Sequence, residues 1–155
     1  MPMLSETLRE FVAHQRLGFL ATVCIDGSPN LSPKGITFVY DQNRIVIGEV
    51  RSPGSIKNLR ANPIAELNVV DRNTRKGFRF KGVCKIHTSG EEYDQFLAFL
   101  RTQGVQSEIR SIIIMVVEVA KPLISPIYDN GAFETDVRDQ WERYYEDGGT
   151  GFPSK

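Results

Sequence analysis

The sequence lacks the residues of a metal centre, a disulfide scaffold and a membrane span. Two histidines and two cysteines occur among 155 residues, and Cys24 and Cys84 do not have the close spacing of a zinc site. We therefore expect no bound metal and a reducing, cytoplasmic location. The longest apolar run, Ile112 to Val117, is far shorter than the ~20 residues that cross a bilayer, so we expect no membrane partner.

The chain also lacks an excess of charge of either sign. Nineteen Lys and Arg residues balance nineteen Asp and Glu residues, so nothing favours the phosphate backbone of a nucleic acid as a partner. Hydrophobic residues make up 41% and charged residues 25% of the chain, which is typical of a globular protein. At this length we expect one domain over residues 1–155, with a helical tail at about 126–147.

Common catalytic motifs are missing too. The chain has no Gly-x-Ser-x-Gly elbow, no phosphate-binding loop and no Gly-x-Gly-x-x-Gly fingerprint. On the strand pattern we expect His87 to face solvent and Cys24 and Cys84 to be buried and unreactive. The sequence therefore leaves the catalytic residues unknown.

Alternating and β-branched segments predict a small antiparallel barrel. We expect six strands, at 18–25, 35–40, 44–49, 64–70, 78–87 and 111–119, and the first three form a meander with short connections. Helical spacing predicts a helix after Ser5, a helix that starts at Ser52-Pro53, a helix at 90–103 and a final short helix around Trp141.

The segment 51–58 is the first candidate binding site. It places small residues at a helix N-terminus directly after a strand, where free backbone amides and the helix dipole favour a phosphate group. Ser52 and Ser55 offer hydroxyls, and Arg51 and Lys57 offer positive charge. The alternative is that Ser52-Pro53 only starts the helix.

The segment 30–35 is the second candidate. Pro33 cannot donate a ladder hydrogen bond, so it predicts an edge or an interrupted strand whose backbone is open to a planar heterocycle. Lys34 would then face the ring or its oxygens. The alternative is a bulged edge strand that its proline and lysine protect from aggregation.

Five short stretches between Leu17 and His87 together resemble the pyridoxamine 5′-phosphate oxidase-like family of FMN-binding split barrels. They are Leu-Gly-Phe-Leu-Ala-Thr-Val, Asp-Gly-Ser-Pro, Ser-Pro-Lys-Gly, Asn-Leu-Arg-Ala-Asn-Pro and Gly-Phe-Arg-Phe-Lys-Gly. Their order and spacing carry the resemblance over about half of the chain.

The resemblance implies a six-stranded antiparallel Greek-key barrel and a homodimer with FMN between the subunits. It implies that the phosphate contacts Arg51, Ser52, Ser55, Lys57 and Asn58. It implies that the isoalloxazine ring lies along Ser32, Pro33, Lys34 and Gly35 and along Ile47, Gly48 and Glu49. For the partner subunit it suggests Arg79, Lys81 or the tail around Tyr128 and Trp141.

Two departures from the vitamin B6 oxidases bear on function. Gly54-Ser55 stands where those enzymes have an Arg-Lys pair, and the chain ends without their Arg-x-His element. We therefore expect an FMN-dependent oxidoreductase that acts on an unidentified small molecule, and not a true pyridoxamine phosphate oxidase. The alternatives are a flavin-storage protein without a substrate and a barrel that binds a deazaflavin or haem.

Overall fold

The computed structural model describes residues 3–151. Its strands are β1 (Gly18–Val23), β2 (Pro29–Lys34), β3 (Thr37–Val39), β4 (Arg44–Glu49), β5 (Ile64–Asp71), β6 (Lys76–His87) and β7 (Ser111–Ile124). Its α-helices are α1 (Glu6–Gln15), α2 (Pro53–Ala61), α3 (Glu91–Thr102) and α4 (Glu134–Glu146), and a short 3-10 helix spans Pro126–Asn130.

The strands form one curled antiparallel sheet in the order β2-β1-β5-β6-β7-β4-β3. The two edge strands, β2 and β3, are separated in sequence only by Gly35 and Ile36. Because so short a connection joins opposite edges, the sheet must curl until those edges meet. The result is the mainly β split barrel that the sequence predicts.

The strand count and one connection differ from the prediction. There are seven strands in the described chain because residues 29–34, where Pro33 predicted an edge or an interrupted strand outside the six regular ones, form a strand paired with β1 along its whole length. The predicted meander is therefore wrong: β1 forms a hairpin with β2, and β3 forms a separate hairpin with β4. Pro33 does lie in an edge strand, where a missing backbone donor is tolerated.

Apolar side chains form two clusters on opposite faces of the sheet. One lies inside the curl, where Leu8 of α1 and Leu59 of α2 pack against strand residues such as Phe80. The other lies between the outer face of β4 and β7 and helix α3, around Phe96 and Leu100. Strand β7 contributes alternate residues to both clusters, which explains its continuous apolar run.

The chain after β7 folds back onto its own subunit. The guanidinium carbon of Arg75 lies 3.5 Å from the centre of the Trp141 ring, and that of Arg72 lies 4.2 Å from the centre of the Tyr145 ring. The Tyr128 hydroxyl donates to the carbonyl of Thr74 at 2.6 Å. Helix α4 and the 3-10 helix therefore cover the turn between β5 and β6.

Within residues 3–151, no helix combines the length and apolar character that a membrane crossing requires.

Candidate functional site

A cavity of about 690 Å³ opens where the closing edge of the barrel meets helix α2. This volume is in the range of small-molecule binding sites. The ends of β2 and β4, the start of α2 and the loop before β7 enclose it. It is lined by Ser32, Pro33, Lys34, Gly35, Ile36, Gly48, Glu49, Val50, Arg51, Ser52, Glu108 and Arg110.

The close approach of β4 to the β2–β3 junction shapes the cavity floor. The backbone N–H of Gly48 donates to the carbonyl of Ile36 at 2.9 Å, and a Cβ atom at position 48 would lie 2.8 Å from Cγ2 of Ile36. The Thr37 hydroxyl donates to the carbonyl of Lys34 at 3.0 Å. Glycine at position 48 is thus required by packing, and the contact holds the junction in place.

Lys34 extends its ammonium group into a cluster of three serine hydroxyls. Its Nζ lies 2.7 Å from Oγ of Ser32, 2.8 Å from Oγ of Ser52 and 3.3 Å from Oγ of Ser55. The side chain belongs to β2, whereas Ser52 precedes α2 and Ser55 lies in its first turn, so Lys34 ties the edge strand to the start of the helix. Burial lowers the pKa of the Lys34 ammonium, and the nearby charge of Glu49 raises it again in part.

Glu49 places a carboxylate at the N-terminus of α2. Its Oε1 accepts the backbone N–H of Ser52, and its Oε2 accepts the hydroxyl of Ser111 at 2.8 Å. Ser52 therefore starts the helix as predicted, but its hydroxyl does not cap it. The carboxylate of Glu49 thus occupies one of the backbone amides at the start of the helix, where the sequence predicted a phosphate site.

Charged side chains also stand at the cavity mouth. Arg51 and Arg110 contribute positive charges and Glu108 a negative one, and all three residues are exposed. The side chains of Pro33, Ile36 and Val50 add apolar surface to the lining. The cavity thus combines apolar surface, one buried ammonium group, one buried carboxylate and a mixed set of exposed charges.

Eight of the twelve residues predicted to bind the cofactor line this cavity, and a ninth, Ser55, contacts Lys34 beside it. The other three lie elsewhere. Ile47 is part of the apolar cluster inside the curl, Lys57 is exposed on α2, and Asn58 donates to the Thr22 hydroxyl at 3.0 Å. Cofactor binding by all twelve stays a prediction.

Four lining residues were absent from the prediction: Ile36, Val50, Glu108 and Arg110. The first two are sequence neighbours of predicted residues, so a wider window would have included them. Glu108 and Arg110 lie some sixty residues further along, and the Arg110 backbone N–H reaches the site by donating to the carbonyl of Glu49 at 2.9 Å. A long-range backbone contact of this kind leaves no local sequence pattern.

The structure corrects the expectation for His87. Its side chain is buried, 5.2 Å from the Phe96 ring between centroids, because helix α3 covers the face of β6 that points away from the barrel interior. Burial lowers the pKa of His87, and Glu92 opposes that effect. His87 therefore packs under α3 and lies outside the cavity lining.

The two thiols differ in exposure. Cys84 is buried, and burial raises its pKa to about 12, so it is an unreactive core thiol as expected. Cys24 is only partly buried and accepts a contact from the Asn58 amide at 3.5 Å. Among residues 3–151, no group of three or more His, Cys, Asp or Glu side chains is arranged to hold a metal ion.

The sequence matches a family model described as pyridoxamine 5′-phosphate oxidase over residues 4–120. No curated protein matches the sequence significantly. Among solved structures, HupZ of Group A Streptococcus is 28% identical with a TM-score of 0.71, and the match covers 79% of this chain and 96% of that one.

Two more distant structures share the fold. An FMN-binding protein of Syntrophomonas wolfei is 12% identical with a TM-score of 0.65, over 77% of this chain and 85% of that one. An F420 reductase is 18% identical with a TM-score of 0.57, over 73% of this chain and 94% of that one. At this level of identity the likeness concerns the fold alone.

Proposed function

The chain belongs to the pyridoxamine 5′-phosphate oxidase family, and from that premise we propose that it is an FMN-binding flavoprotein. We propose further that it acts as an FMN-dependent oxidoreductase on a small molecule. The observation that carries the proposal is the cavity at the barrel edge, in which the buried ammonium of Lys34 lies beside the N-terminus of α2.

The lining suits the ring system of a flavin. The volume of about 690 Å³ accommodates a tricyclic heterocycle with a side chain, and Pro33, Ile36 and Val50 offer apolar surface to its faces. The exposed cations Arg51 and Arg110 offer charge to a phosphate group. In one respect the fit fails, because Glu49 already occupies the first free amide of α2.

Bound FMN would supply the redox chemistry, and the protein would supply binding, orientation and exclusion of water. In this proposal Lys34 is the residue whose charge most affects the bound ring system. Its charge is fixed by three hydroxyls inside the barrel edge, so it presents a positive charge at a constant position. A fixed cation there would favour negative charge on the ring system.

Oxidation of pyridoxamine phosphate is not the activity we propose. Gly54 and Ser55 stand in the first turn of α2 where the vitamin B6 oxidases have an Arg-Lys pair. A Cβ atom at position 54 would meet nothing within 4 Å, so space for a longer side chain exists there but remains unused. The second departure is the lack of an Arg-x-His element among the C-terminal residues of the sequence. Residues 152–155 of that stretch lie outside the part of the chain that the structure describes.

A homodimer is part of the proposal. Apolar side chains are exposed on the outer face of the β1–β2 hairpin, with 41% of Phe19 and 66% of Leu31 accessible, next to the cavity residue Pro33. A second subunit would cover this face. The aromatic tail is less suited to contact a partner subunit, the role that the resemblance suggested for it, because Trp141 and Tyr145 contact Arg75 and Arg72 of the same chain.

The suggested partner-subunit contacts also have partners within the chain. Arg79 pairs with Glu66 at 2.9 Å, and Tyr128 donates to Thr74.

Sedimentation equilibrium of the purified protein measures the oligomeric state directly. A monomer at micromolar concentration would remove the dimer from the proposal and leave the cavity of one subunit as the complete site.

The decisive test is the absorption spectrum and ligand mass spectrum of the purified protein, before and after addition of FMN and passage through a desalting column. We expect retained flavin bands and release of FMN on denaturation. A protein that remains colourless contradicts the proposal. A retained deazaflavin or haem would instead support one of the two alternative cofactors, and retained FMN without turnover of any donor would support the storage role.

A further inference from the structure

We infer that Glu49 acts as a resident anion at the N-terminus of α2 and thereby weakens the preference of this chain for FMN over riboflavin. The two ligands share the same ring and differ in a terminal phosphate. The inference rests on the proposed flavin binding, and it names the residue that sets the specificity of that site.

The carboxylate of Glu49 is held on both of its oxygen atoms. Oε1 accepts the backbone N–H of Ser52 and lies 3.4 Å from the hydroxyl of the same residue. Oε2 accepts the Ser111 hydroxyl at 2.8 Å. With only 4% of the residue accessible, the carboxylate is a fixed part of the site, unlike a mobile surface group.

The position that Glu49 takes is the one that suits an external anion. The first amides of an α-helix lack internal acceptors and lie at the positive end of its dipole. In α2 the amide of Ser52 points at a carboxylate from the same chain, so an incoming phosphate must displace that carboxylate or bind beside it. Either course costs free energy that an uncharged ribityl chain does not incur.

The positive charge of Lys34 is also partly compensated before any ligand enters. Lys34 donates to the hydroxyl of Ser52 at 2.8 Å, and the same hydroxyl lies 3.4 Å from Glu49. The first turn of α2, residues 53–56, contains no charged side chain. The ammonium of Lys34 therefore compensates Glu49, and less of its charge is available to a phosphate dianion.

The test compares Glu49→Gln with Glu108→Gln. Both variants remove one negative charge from the cavity lining, but only the first removes it from the N-terminus of α2. The amide of Gln keeps an oxygen that accepts the Ser52 N–H, so the local structure should persist. Dissociation constants of FMN and riboflavin are measured for the wild type and both variants by fluorescence titration.

We expect E49Q to raise the affinity for FMN relative to riboflavin by about tenfold or more, because the variant removes a buried negative charge that repels the phosphate. The E108Q variant should change that ratio by no more than about twofold, because its charge is exposed and screened by salt. An equal rise in both variants, or an unchanged ratio in E49Q, overturns the inference while flavin binding itself stands.

A second readout does not depend on flavin. Inorganic phosphate is titrated into labelled protein while the amide resonances of Ser52 and Ser55 are followed by NMR. We expect saturable shifts at lower phosphate concentration in E49Q than in wild type, and equal titration curves overturn the inference. If neither flavin binds any variant, the proposed function fails. The phosphate titration then still decides whether Glu49 prevents an anion from binding at the N-terminus of α2. If E49Q does not fold, Glu49→Ser is used in the same two experiments.

Discussion

Two buried carboxylates in this molecule make the same local contact and have different surroundings. Asp71 ends β5, and its Oδ1 accepts the backbone N–H groups of Asn73 at 2.8 Å and Thr74 at 3.4 Å. Glu49 ends β4, and its Oε1 accepts the backbone N–H of Ser52. In both places a carboxylate at the end of a strand fixes the next turn of the chain.

The difference lies in what covers each group. The other oxygen of Asp71 accepts from Arg138 of α4 at 3.2 Å, and the tail closes over the turn through Arg75 and Trp141. Glu49 instead forms part of the wall of a cavity of about 690 Å³. A buried carboxylate whose surroundings are filled by its own chain serves stability, whereas one beside open space can also influence a ligand.

The largest effect expected from this comparison is on folding. Asp71→Ala should lower the free energy of unfolding by about 2–3 kcal/mol, because two backbone amides and Arg138 lose their acceptor in a buried turn. Denaturant unfolding followed by circular dichroism measures the change. Retention of FMN by the folded variant should not change, and a loss of affinity would place the turn within the functional site.

Asp41→Ala is the matched control for that variant. Asp41 accepts the backbone N–H groups of Asn43 and Arg44 in the β3–β4 turn, but 34% of its side chain is accessible against 9% for Asp71. Since water can replace its contacts, we expect a cost of no more than about 1 kcal/mol. An equal cost in the two variants would show that burial does not separate these turns.

The second largest effect is expected at the cavity. Lys34→Met should weaken FMN binding by about tenfold and lower the midpoint potential of bound flavin, because a fixed cation favours the reduced, more negative ring. Lys76→Met removes a lysine that pairs with Glu134 under the tail and should leave both quantities unchanged. Equal flavin titrations and potentials for the two variants would remove the role of Lys34.

The third effect concerns the pH dependence of stability. Burial opposes the charge of Asp71, but its backbone and side-chain hydrogen bonds and the charge of Arg138 outweigh that effect, so its pKa is lowered from 3.8. A group with a lowered pKa in the folded state contributes stability above the unfolded-state pKa, and this contribution is lost as the pH falls through the folded-state pKa.

We therefore expect the stability difference between wild type and Asp71→Asn to be full at pH 6 and to shrink as the pH falls towards 2. The unfolding midpoints of both proteins are measured at both pH values. The other carboxylates are the same in the two proteins, so their contributions to the difference cancel. A difference that stays constant with pH would show that the charge of Asp71 adds nothing to its hydrogen-bonding role.

The smallest effect is expected from the outer partner of Asp71. Arg138→Gln should cost about 0.5–1 kcal/mol, because 40% of the Arg138 side chain is accessible and exposed ion pairs contribute little. The same unfolding experiment in 0.5 M salt should reduce the difference further. A cost as large as that of Asp71→Ala would make the ion pair, and not the two amides, the main stabilising contact.

Local sequence patterns predicted the helices and strands well wherever buried side chains alternate along a strand or recur on one side of a helix. Ser5 accepts the Leu8 amide at the start of α1 as expected. The first miss, strand β2, was partial: Pro33 indicated an edge or an interrupted strand, but two prolines in six residues argued against counting this segment among the regular strands. Which strand pairs with this segment depends on the whole sheet, so residues 29–34 alone could not reveal the hairpin with β1.

The second miss, His87, has a related cause. The alternation in β6 correctly put His87 on the face opposite Phe80, but that face is covered by α3 at one end of the strand. Packing by a later helix changed an outward position into a buried one. Glu108 and Arg110 were missed for the same reason, since the fold brings them to the cavity from a distant loop.

The sequence by itself determined that this chain is an antiparallel barrel with peripheral helices, because periodicity, caps and turn residues act over a few neighbours. It also located most of the cavity lining, since residues 32–35 and 48–52 lie in short continuous segments at strand ends. Only the tertiary structure decided that Glu49 occupies the end of α2 and that Lys34 compensates it. Those contacts join β2, β4, α2 and β7, and their energies depend on distance and burial in the folded chain rather than on spacing along it.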